Sequence, residues 1–80
     1  MSTDPSDIEA SDIEAKVRAL LGALTASRDP AAFQALLRLS GYLGECLGLS
    51  ARTLAEAGSW SDVASAAGTT KQAAWSRWHG

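Results

Sequence analysis

Apolar side chains recur at helical spacing in three blocks of this chain, separated by short polar or glycine-containing breaks. In the first block, Ile13, Val17, Leu20, Leu21 and Leu24 fall on one face, which predicts an amphipathic helix over residues 11–26. Ahead of it, Ser6-Asp7-Ile8-Glu9-Ala10 is repeated at once as Ser11-Asp12-Ile13-Glu14-Ala15. Two copies of a pentapeptide do not make a solenoid. Each copy reads as a helix start, with Ser first and acids suited to a first turn. The second copy leads into the helix, so residues 1–10 are expected to be a disordered acidic leader.

Ser27-Arg28-Asp29-Pro30 is the first break. Asp29 suits the N-cap and Pro30 the first helical position of a second helix. That helix runs through Phe33, Leu36, Leu37, Tyr42, Leu43, Cys46 and Leu47. A bend or break is expected at Gly48-Leu49-Ser50, with a short third helix from Ala51; one helix continuing to Ala57 is the alternative. Gly41, Gly44 and Gly48 share a face. Each weakens a helix by about 1 kcal/mol relative to Ala. Close approach of another helix accounts for them, and so does local fraying. Residues 11–57 are accordingly read as a helical dimerisation and support region.

The third block carries the most information. Gly58 is expected to close the preceding helix in a left-handed conformation. Ser59, with Asp62 three residues on, makes an acidic capping box. A short helix follows, with Val63, Ala64 and Ala67 facing inward. Gly68 then permits a sharp turn, and Thr70 caps a new helix that begins Lys71-Gln72. Two short helices joined by a three- or four-residue turn containing Gly are the helix-turn-helix unit. Trp60, Val63 and Ala67 supply the apolar bed, with Ala74 and Trp78, four apart, closing it from the second helix. Lys71, Gln72, Trp75, Ser76 and His79 are left on the outside, where a recognition helix meets the major groove.

Ser59-Trp60, Asp62, Val63-Ala64, Gly68, Lys71-Gln72-Ala73-Ala74 and Arg77-Trp78 together resemble the helix-turn-helix tail of small actinobacterial-type regulators, related to homeodomain-like and sigma-factor region 4 modules. The chain departs from that pattern at Ala67, Thr69 and Thr70, where Leu, Val and Ser are usual. The resemblance covers residues 57–78 and implies a double-stranded DNA partner. Within residues 58–80, Thr70 would offer its hydroxyl and the free first-turn N–H groups to a phosphate. Lys71 would reach phosphate or guanine. Gln72 carries a donor and an acceptor on one amide, matching the adenine edge. Ser76 lies one turn along on the same face. Arg77, to the side, is expected to make a backbone contact or an internal ion pair. Trp75 either touches thymine methyls and sugars or packs on the domain or a partner.

The net charge of −2 is unusual for a DNA binder, but it is unevenly distributed. Residues 1–15 hold five acids and no base, whereas residues 16–80 hold seven bases and four acids. With 80 residues the chain buries only about 60–65% of its unfolded surface, which makes a monomer marginal and favours a homodimer. Cys46 is the only cysteine, so no internal disulfide forms and a reducing cytoplasm is expected. Cys46 itself is read as a buried thiol, and His79 as solvated. The N-terminus has neither the basic start nor the apolar core of a signal peptide, and the longest apolar stretch, Ala19 to Leu24, is too short to span a bilayer.

No nucleophile–base pair, metal-spaced cluster or phosphate loop stands out, so no enzyme, cofactor or small-molecule ligand is expected. The expected fold is all-α, with four to five helices and a C-terminal trihelical helix-turn-helix core. Only His79 and Gly80 follow Trp78, which leaves no room for a wing. The expected function is sequence-specific binding of duplex DNA by a homodimeric, cytoplasmic transcriptional regulator. The alternative is a protein-interaction adaptor of antitoxin-like or anti-regulator type that uses the same module on a protein.

Overall fold

A computed structural model describes the chain from residue 5 and its side chains from residue 9. The fold is all-helical, with no strand among the described residues. Helix α1 spans Pro5–Ala26, α2 Pro30–Ala57, α3 Trp60–Ala67 and α4 Lys71–Trp78. None of them is long and apolar enough to cross a membrane.

Helix α1 starts earlier than expected. Residues 1–4 of the expected leader lie outside the described residues, but Pro5–Ala10 is already helical. Pro5 sits at a first helical position, where its missing N–H costs nothing. No Gly or Pro interrupts the two pentapeptides, and Ser11 in a helix interior costs only tenths of a kcal/mol. Along α1, Lys16 pairs with Asp12 at 3.2 Å and Arg18 with Glu14 at 2.8 Å, both one turn apart and exposed. Such pairs add about 0.3–0.5 kcal/mol each.

Asp29 caps α2 as expected: its Oδ1 accepts from the Ala31 N–H at 2.9 Å. The expected break at Gly48-Leu49-Ser50 is absent, and α2 is continuous to Ala57, so the described residues form four helices. Gly48 has an ordinary negative φ. The Thr53 hydroxyl donates to the Leu49 carbonyl at 2.9 Å within the continuing ladder. With Leu, Ala, Arg and Glu around it, one glycine does not stop the helix.

Two compact units divide the chain, Met1–Arg38 and Leu39–Gly80. The division falls inside α2, and Ala51 of α2 belongs to the same buried cluster as Val63 and Ala64 of α3 and Ala74 of α4. Ala55, Trp60 and Trp78 pack around that cluster. Ala67, expected in the core, is exposed. Among the described residues of the first unit only Ala32 is buried, while Ile13, Val17, Leu20, Phe33 and Leu37 remain exposed.

Gly68 and Gly41 should respond in opposite ways to the same substitution. Gly68 holds φ +69, where a Cβ is strained; Gly41 is an ordinary helical position with open space around it. Gly68→Ala should lower stability by about 1–2 kcal/mol. Gly41→Ala should raise it by about 1 kcal/mol. Thermal melts followed by circular dichroism check both signs.

Candidate functional site

The geometry of α3 and α4 is set by three caps. Ser59 takes an extended conformation, and its Oγ accepts from the Asp62 N–H at 3.3 Å. In return the Ser59 N–H donates to Asp62 Oδ2 at 2.9 Å, completing the capping box. Gly58 closes α2 differently from expectation. Its φ is not positive, and its N–H donates to the Leu54 carbonyl at 3.0 Å. A Cβ there would collide with Asp62 Oδ2, so glycine leaves room for the capping carboxylate.

At the other end of α3, Gly68 is left-handed, and its N–H points to the Ala64 and Ser65 carbonyls. The Thr69 N–H donates to the Ala64 carbonyl at 3.0 Å. These are the two bonds of a Schellman closure. The chain re-enters a helix at once: Thr70 is extended, and its hydroxyl accepts from the Ala73 N–H at 3.1 Å. Only Gly68, Thr69 and Thr70 separate α3 from α4.

This tight turn lays α4 on α3 with Ala74 at the contact. Ala74 has 0% of its surface exposed, and Val63 and Ala64 are buried against it. Trp78, one turn on, packs against the same cluster, and the other residues of α4 face outward. Thr70, Lys71, Gln72, Trp75, Ser76 and Arg77 are all exposed, with Trp75 at 48%. Lys71 and Arg77 are the charges on α4, which carries no acid.

Three features were not legible in the sequence. Arg52 of α2 donates from Nη1 to the Trp78 carbonyl at 3.0 Å. It thereby satisfies an orphan carbonyl at the C-terminal end of α4 and places a cation where the helix dipole favours one. A Cβ at Gly48 would stand 3.2 Å from that same Nη1, so the glycine clears the path of the guanidinium. Trp75 stacks on His79 with ring centroids 3.9 Å apart and planes 6° apart. His79 is exposed, as expected, and its Nδ1 lies within hydrogen-bond distance of the Trp75 carbonyl.

Arg77 makes no ion pair among the described residues, contrary to one of its two expected roles. Its guanidinium carbon lies 5.2 Å from the centre of the Trp78 ring, within cation–π range. Cys46 is half-buried rather than buried. A side-chain hydrogen bond to Cys46, then the charge of its thiolate form, raises the Tyr42 phenol above its ordinary value.

No metal-holding group of His, Cys, Asp or Glu occurs among the described residues. A shallow apolar groove of about 210 Å³ runs beside the cluster, walled by Leu47, Leu54, Ala67 and Trp78. It falls below the roughly 300–1,000 Å³ of ordinary ligand pockets. No protein-family model, curated protein or solved structure matches the chain.

Arg52→Met keeps the apolar stem and removes the donor. It should destabilise the chain by about 0.5–1.5 kcal/mol, the usual net value of one hydrogen bond. The loss should appear in hydrogen exchange as faster exchange of the α4 amides, with the N-terminal half of α1 unaffected.

Proposed function

We propose that this chain binds double-stranded DNA as a homodimeric, cytoplasmic regulator, with α3, the Gly68–Thr70 turn and α4 acting as a helix-turn-helix. The carrying observation is the division of α4 into one enclosed residue, Ala74, and an outward face of Lys71, Gln72, Trp75 and Ser76. The C-terminal part of α2 serves as the first helix of the trihelical unit, and no wing is needed for α4 to lie in a major groove.

In this reading Thr70 presents the start of α4 to a phosphate, and Lys71 neutralises one. Gln72 reads a base edge, with Ser76 one turn further on. Trp75, stiffened by its stack on His79, lies against sugars or thymine methyls. Arg77, on the flank, reaches the backbone. One such module makes few contacts, so a second copy supplies the other half-site.

Leu39–Gly80 holds three basic and three acidic side chains. Phosphate attraction is therefore local to α4, and the salt dependence of binding should be shallow. The same charge balance favours the adaptor reading, in which the exposed Trp75 meets a protein.

Selection of bound fragments from random duplex DNA, followed by titration at several salt concentrations, separates the two readings. Gln72→Ala should relax sequence preference at one position by about 1–3 kcal/mol. Lys71→Ala should weaken all duplexes alike and reduce the salt slope by about one unit. Both variants must keep their helical circular dichroism. Unchanged binding in both would remove α4 as the reading element, and no salt-dependent duplex binding at all would leave the adaptor.

A further inference from the structure

Helix α2 is 28 residues long, and its largest side chains are left uncovered. Starting from Phe33, steps of three and four residues alternate without a slip through Leu36, Ser40, Leu43, Leu47, Ser50 and Leu54. That is the alternation of a and d positions in three heptads, with five apolar positions and two serines. Phe33 is 64% exposed, Leu43 59%, Leu47 49% and Leu54 41%. We infer that this stripe of α2 is a pairing surface for a second copy of the chain, with the two α2 helices lying side by side.

Three observations select a second copy as the occupant. The first is periodicity. A strict 3-4 alternation keeps one seam facing a helical partner over its whole length, and the same seam on another copy is complementary to it under a two-fold axis.

The second is the flanks. The positions beside the seam are Leu37, Leu39, Gly44, Cys46, Ala51 and Thr53, and none of these is charged; Ala51 is already buried against α3 and α4, so the open border runs from Leu37 to Cys46. A wide uncharged border suits helix-on-helix burial. A Cβ at Gly44 would meet nothing within 4 Å, so a neighbouring backbone can come close there.

The third is area. A half-exposed Leu or Phe has on the order of 60–100 Å² of apolar surface still to bury. The seam and its two flanking leucines thus present on the order of 500 Å² per copy. Two copies reach the roughly 1,000 Å² total that separates a specific interface from a chance contact. Ser40 and Ser50, at their places in the seam, fix one register, as isolated polar seam residues do.

The pairing deepens the homodimer half of the proposed function and is independent of the DNA half. Its test reads mass rather than DNA binding, so the two fail separately. Light scattering after gel filtration of the full chain, from low to high micromolar, should give twice the chain mass. The double variant Leu43→Lys, Leu47→Lys should give the single-chain mass, with self-association weakened at least a hundredfold. Glu45→Lys, on the opposite side of α2, should leave the doubled mass unchanged. Trp60, Trp75 and Trp78 all lie outside α2, so their emission reports whether the variant keeps α3 and α4 folded.

If that emission is lost, the wild-type melt decides instead. A midpoint that rises with protein concentration supports pairing. A wild type of single-chain mass throughout, a doubled mass that survives in the folded seam variant, or a midpoint independent of concentration overturns it.

Discussion

The enclosure of Ala74 is the constraint on which the C-terminal unit depends. With no surface left on this side chain, α4 can rest only where a methyl group fits between Val63 and Ala64. The cluster contains three alanines and one valine, so its apolar burial is small. At about 0.8 kcal/mol per buried methylene-sized group, it offers only a few kcal/mol. What such a core provides instead is proximity. Small side chains let the helices approach closely, and close packing at one point fixes which face of α4 is left outside. The outward set of Lys71, Gln72, Trp75 and Ser76 follows from that one contact.

A core this small relies on local order at the ends of its helices. The Ser59–Asp62 box, the Gly68 closure and the Thr70 cap each satisfy backbone groups that would otherwise be orphaned. They also leave three residues between α3 and α4, too few for the second helix to wander. Arg52 holds the far end of α4 through the Trp78 carbonyl. The helix is thus held at its start by Thr70, at its middle by Ala74 and at its end by a cation from α2.

The large apolar residues contribute almost nothing to that core. Leu43, Leu47 and Leu54 are exposed, and α1 has no buried residue among those described. A single chain of 80 residues has little volume in which to hide them, and here it encloses alanines.

The sequence by itself determined what depends on neighbours three or four residues away. The Asp29 start, the Ser59–Asp62 box, the Gly68 turn and the Thr70 cap are all short-range hydrogen-bond or φ requirements, and each was legible as residue type at fixed spacing. The outward residues of α4 were legible too, because Ala74 and Trp78 mark the opposite face. Tertiary structure decided the rest. Whether Ala51 or Ala67 entered the core depended on how α2 crosses α3. That Gly58 makes room for a carboxylate instead of turning left-handed depended on where Asp62 points. The bond from Arg52 to Trp78 joins residues 26 apart and has no local signature. The continuity of α2 through Gly48 was likewise misread locally. One glycine lowers helix propensity whatever surrounds it, but whether the helix stops depends on the summed gain of a 28-residue ladder.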